Sequence, residues 1–223
     1  MPARLRPTAP IAAAAVLVGD PGRALALAQE LLEKPKMSNH ARGLWGYSGR
    51  TPAGAGLTVQ STGMGGPSAA IVLSDLAGLG VRRAVRVGTC AALVPGLVPG
   101  DLLTVSEAHA WGGPGAGGGE AVAPDPELGD ALRRQLGDAA REGTVASLET
   151  LHSEHPDPAA LGADAADMQT AALLARGREL GVAVAAVLVV TEGADGERLD
   201  DEAAEEAAKR AGNVASAVLS PSS

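Results

Sequence analysis

Short apolar runs alternate along the chain with longer stretches in which apolar side chains recur every three or four positions. The runs "AAAAVLV" before Gly19, "AVRV" before Gly88 and "VAVAAVLVV" before Thr191 are each bounded by turn-forming residues, the pattern of buried strands. The pattern predicts strands near 14–18, 42–48, 57–61, 83–88, 101–105, 143–147 and 183–190. Helical spacing falls between them, at 22–33, 67–79, 126–141, 164–180 and 200–218. Pro67 and Ser68 suit the first turn of the second helix, and "DDEAAEE" places negative charge at the N-terminus of the last. Strands alternating with helices predict an α/β layer fold. No repeat or linker interrupts it, so one domain is expected over residues 1–223.

Composition narrows the chemistry. With 223 residues and 46% hydrophobic content the chain can bury a substantial core. No run of uncharged apolar residues is long enough to span a bilayer, and the alanine-rich start passes directly into the first strand, which predicts a soluble, cytoplasmic chain with no membrane partner. Cys90 is the sole cysteine, so no intramolecular disulfide is possible. Residues 1–100 carry a balance of +6 and residues 101–223 one of −14, giving −8 overall. An acidic whole with three aromatic residues and no basic tract argues against a nucleic-acid surface. A small anion held by a few arginines stays open. The segment "GGPGAGGGE" (112–120) reads as a flexible loop.

Four stretches fall where strands end and helices begin, the usual place for ligands in such folds. They are "GDPGR" (19–23), "STGMGGPS" (61–68), "RVGT" (86–89) and "DMQTAALL" (167–174). A Gly-rich turn before a helix either cradles an anion or allows tight packing. Arg86 is the most informative residue, because an arginine inside an apolar strand needs an anionic partner or an exit to a cleft.

These four stretches, in this order and at these separations, resemble the nucleoside phosphorylase family, which includes bacterial purine nucleoside phosphorylase and uridine phosphorylase. "SNHARGLWGYSG" (38–49) and "VPGDLLTVSEA" (98–108) extend the likeness. The resemblance implies the three-layer phosphorylase/hydrolase-like fold, with a central mixed, twisted β-sheet flanked by helices. It further implies phosphate-dependent cleavage of a nucleoside to free base and (deoxy)ribose 1-phosphate, with inorganic phosphate as co-substrate and neither cofactor nor metal. Phosphate would be held by Gly19, Arg23, Arg86 and Thr89, with Arg42 supplied across a homodimer interface and such dimers assembled to a hexamer. Independently of any family, guanidinium groups and a hydroxyl offer fixed donors to a dianion. Met64, Met168 and Gln169 would face the ribose. Cys90, Ala91, Leu151, His152 and Asp167 would face the base, and Glu192 would join Arg86 in catalysis.

The nucleoside half of this pattern departs from the family. Relatives carry a glutamate where this chain has Gln169; a carboxylate accepts from two hydroxyls, whereas an amide has one acceptor oxygen and an NH₂ that only donates. The plain alternative for Gln169 is an exposed polar residue at a helix start. Purine-cleaving relatives end the late strand with Ser-Asp, replaced here by Thr191-Glu192, with Asp195 as a rival acid and a solvated loop glutamate as the plain alternative. Neither an aromatic stacking residue nor the Gln/Arg pair of uridine enzymes is present, and the segment between 152 and 168 is shorter than in relatives. The Cys90-Ala91 step favours purines over uridine. His152 and His155 sit among carboxylates in a Pro-interrupted loop that needs no metal. A hydrolytic nucleosidase and a non-catalytic relative that binds phosphate or a sugar phosphate remain the alternatives.

Overall fold

The computed structural model describes residues 3–111, 119–149 and 162–220. Among these, nine strands share one sheet: β1 (Ala14–Val18), β2 (Glu33–Asn39), β3 (Gly46–Arg50), β4 (Gly56–Ser61), β5 (Arg83–Ala92), β6 (Leu102–Trp111), β7 (Ala140–Leu148), β8 (Ala165–Asp167) and β9 (Ala183–Glu192). The helices are α1 (Pro21–Leu31), α2 (Gly65–Gly78), α3 (Pro126–Leu136), α4 (Thr170–Leu180) and α5 (Asp201–Leu219).

Side-chain alternation along the central strands builds the layers. On β1, Ala15 and Leu17 pack with α2 and α4, while Val16 and Val18 pack with α1, α3 and α5. On β5, Val85 and Val87 join the second core, so Ala84, Arg86, Gly88 and Cys90 point to the side of α2 and α4. Each fully buried leucine there, such as Leu17, Leu27 or Leu73, contributes roughly 1.5–3 kcal/mol of transfer free energy.

The sheet is mixed, as expected, and part of it closes on itself. Its order is β2-β3-β4-β1-β5-β8-β7-β6-β9, and β9 also pairs with β5, so strands β5 to β9 form a ring. Strands β4, β1, β5 and β9 run parallel to their neighbours in this series, which brings their C-terminal ends to one side. Loops and helix N-termini at that side form the cleft described below.

Four local expectations need correction. The strand placed at 42–48 begins only at Gly46, because residues Ala41–Gly43 form a 3₁₀ turn with Arg42 at φ 61°. The helix placed at 126–141 stops at Leu136, where Gly137 takes φ 49° and the chain turns into β7. The helix placed at 164–180 begins at Thr170; three residues before it pair as β8, too short a run to show periodicity and rich in helix-favouring alanine. Strand β2 escaped the pattern altogether. It reads "EKPKMSN", pairs among the described strands with β3 alone, and carries its proline and charges as an edge strand permits. The glycine-rich segment falls largely outside the described residues.

Candidate active site

The cleft, of about 520 Å³, opens at the C-terminal ends of β1, β5 and β9 and is walled by the starts of α1 and α2 and by the segment entering α4. At the end of β1, Gly19 makes the turn and Asp20 caps α1, its carboxylate accepting from the Arg23 N–H at 2.8 Å, with Pro21 at the first helical position. The turn therefore serves the fold. It also delivers Arg23 into the cleft, where its guanidinium makes no hydrogen bond or ion pair with any described residue. Burial lowers the Arg23 pKa from its ordinary value, the nearby Asp20 opposes that shift, and the Arg86 cation adds to it. Two cations that sense each other in one cleft favour an anion between them.

Arg86 is 4% exposed and held on three sides. Its Nε donates to Thr170 Oγ1 at 3.1 Å, Nη1 to Gln169 Oε1 at 2.7 Å and Nη2 to Asp167 Oδ2 at 3.0 Å. A guanidinium has five N–H groups, so two stay uncommitted on a group that lines the cleft. Gly88, two residues along the same face of β5, makes room: a Cβ there would lie 2.6 Å from the guanidinium carbon. Gly88→Ala is expected to displace Arg86 and weaken the binding of inorganic phosphate in the cleft at least tenfold, about 1.4 kcal/mol, a shift that titration calorimetry would measure.

Asp167 works behind Arg86. Its side chain has no exposure and accepts from Arg86, Ser147 Oγ, and the backbone N–H and hydroxyl of Thr170. The carboxylate assigned to base binding is thus committed to holding the arginine. Gln169 is 3% exposed, which excludes the surface reading; its Nε2 donates to Gly63 O at 2.6 Å while its Oε1 faces Arg86 and Thr62. The sequence reading missed Ser147, Thr62, Thr170 and Gly88 as partners. Thr62, Thr170 and Gly88 lie inside the quoted motifs, and the need of a buried arginine for partners was the signal that could have found them.

The remaining residues divide by position. Thr89, Cys90 and Ala91 continue β5 along the cleft, and Ala91 lies in register with Glu192 at the end of β9. Glu192 lines the cleft and pairs with the exposed Arg198 at 3.0 Å. Asp195 is elsewhere, in a recess beside Pro99, where its carboxylate accepts from the Glu197 N–H. Met64 is 87% exposed at the start of α2, and with Met168 it separates the cleft from an adjoining recess that holds Arg42. Leu151, His152 and His155 lie outside the described residues. Among the described residues no group of His, Cys, Asp and Glu could hold a metal, and no helix is long and apolar enough to cross a membrane.

Burial, followed by the Asp167 charge and partly offset by Arg86, pushes the Cys90 thiol up from 9.0 to about 12. The protein's preference for a neutral thiol is therefore fully present below pH 9 and lost as pH rises toward 12. Iodoacetamide at pH 8 is expected to leave native Cys90 unmodified and to label it in denaturant; mass spectrometry checks both outcomes.

The sequence matches the Phosphorylase superfamily over residues 13–220. A DeoD-type purine nucleoside phosphorylase of Caldanaerobacter subterraneus subsp. tengcongensis is 30% identical over 194 residues, covering 82% of this chain and 83% of the relative. One of Alkaliphilus metalliredigens is 31% identical over 196 residues, with the same coverage. Among solved structures, uridine phosphorylase from Vibrio fischeri ES114 superposes with a TM-score of 0.81 at 22% identity, covering 94% of this chain and 91% of that one. Purine nucleoside phosphorylase from Toxoplasma gondii gives 0.80 at 22% identity, covering 94% and 90%. These two share the fold, whereas the match along the sequence carries descent. With its arginine-lined cleft at the strand ends, the chain belongs to the phosphorylase superfamily, as an enzyme of the nucleoside phosphorylase family.

Proposed function

We propose that the protein cleaves a purine nucleoside with inorganic phosphate, releasing the base and a pentose 1-phosphate. The observation that carries this reading is the convergence of Arg23 and Arg86 on one cleft, with Thr89 beside them and the N-termini of α1 and α2 at its wall. Phosphate there would accept from the free donors of both guanidinium groups, from the Thr89 hydroxyl and from the turn at Gly19. Fixed donors of this kind stabilise charge without reorganising as the glycosidic bond breaks. The sugar would lie over Met64 and Met168, leaving the base toward Cys90 and Ala91. Glu192, in register with Ala91 and paired with Arg198, would leave that pair to protonate the departing ring.

Purine is favoured over uridine because the curated relatives named above are purine enzymes and because the cleft shows a small, neutral Cys90-Ala91 wall. Arg42 would complete the phosphate site of a second copy: it is exposed, it lies in the adjoining recess, and its left-handed backbone is a strained conformation that surrounding contacts must maintain. Such dimers would assemble to a hexamer, as the family resemblance implies. Base release from inosine, adenosine, guanosine and uridine, each with phosphate, tests the substrate class. Faster turnover of uridine than of every purine nucleoside would refute the purine assignment.

A further inference from the structure

Resting on the phosphorylase reading, we infer that Gln169 is a positioning residue, and that the sugar subsite does not read the 2′- and 3′-hydroxyls of a ribose. Every hydrogen-bonding position of the Gln169 amide is met inside the protein. Its Oε1 receives a bond from Arg86 Nη1 at 2.7 Å and faces Thr62 Oγ1 at 3.0 Å, a hydroxyl that shares its one proton with Val18 O. Its NH₂ donates to Gly63 O at 2.6 Å and faces Gly65 O at 3.4 Å. These partners also fix the orientation of the amide, since a reversed group would set its NH₂ against Arg86 and its oxygen against the Gly63 carbonyl.

Three elements meet at this one side chain: the end of β4 through Thr62, the glycine-rich turn before α2, and the arginine of β5. A glutamate in its place would have nothing to donate to Gly63 and Gly65. Its second oxygen, repelled by those carbonyls, would turn to the cleft and accept from a sugar hydroxyl. The amide instead ties the turn down and leaves the diol without a charged acceptor at this position. The ligand implied is a pentose 1-phosphate, or the nucleoside that yields it, bound with little regard to the 2′-hydroxyl. Met64 and Met168 would hold its ring by apolar contact.

Equilibrium binding separates this from the intrinsic lability of deoxy sugars. Titration calorimetry is expected to give dissociation constants for ribose 1-phosphate and 2-deoxyribose 1-phosphate within roughly threefold of each other, because a hydroxyl read by a charged acceptor changes affinity by about tenfold or more. Gln169→Glu is expected to shift the ratio toward ribose 1-phosphate by about tenfold. In Gln169→Leu, which releases Arg86, the KM for phosphate is expected to rise while that ratio stays unchanged. Tighter binding of ribose 1-phosphate to the natural protein by tenfold or more, or an unaltered ratio in Gln169→Glu, would overturn the inference and leave the phosphorylase reading intact. Failure to bind either sugar phosphate, with no phosphate-dependent base release from any nucleoside, would remove the phosphorylase reading and this inference together.

Discussion

Arg86→Ala is expected to lower phosphate-dependent turnover by at least about a thousandfold, the scale set by removing a preorganised donor from a site of developing charge. The change acts twice. It removes two free donors from the cleft, and it strands Asp167, whose side chain has no exposure to solvent and loses its ionic partner. Breaking a buried pair from one side costs about 3–5 kcal/mol, so a lowered melting temperature should accompany the loss of activity. Thermal denaturation alongside kinetics would register both. Retained turnover in a folded variant would show that Arg86 does not meet the phosphate.

Arg23→Ala isolates the ligand from the fold. The Arg23 guanidinium makes no hydrogen bond or ion pair with any described residue; its pKa is lowered chiefly by burial, the pull of Asp20 falls short of that cost, and the Arg86 cation repels it. Its removal should leave the melting temperature unchanged or slightly raised. Charge-assisted bonds to phosphate are worth roughly 1.5–3 kcal/mol, so the KM for phosphate should rise by about ten- to a hundredfold. A large fall in stability would mean instead that Arg23 supports the structure. Comparing the two variants thus separates an arginine that binds from one that both binds and braces.

What the sequence revealed tracks the range over which each interaction acts. The strands β1, β5 and β9 were legible because continuous apolar runs between turn residues leave few alternatives. Arg86 stood out for the same reason, being the one charge in such a run. Edge strand β2 and three-residue β8 were not legible, since an edge tolerates charge and proline and a short strand has no period. The cleft residues were found as separate motifs, but their internal wiring was hidden. Nothing local says that Asp167 would turn from the base to Arg86, or that Gln169 would bridge Gly63, 106 residues away in the chain, and Arg86, 83 residues away. Such pairings are set by how α4 docks on the sheet. Composition and periodicity do not encode it.

In the proposed reaction phosphate, rather than water, takes the pentose from the base. Phosphorus NMR of a mixture of protein, inosine and phosphate distinguishes the two. A new sugar-1-phosphate resonance is expected to grow in step with free hypoxanthine, with no base released when phosphate is omitted. Hypoxanthine appearing at the same rate without phosphate, accompanied by free ribose, would contradict it.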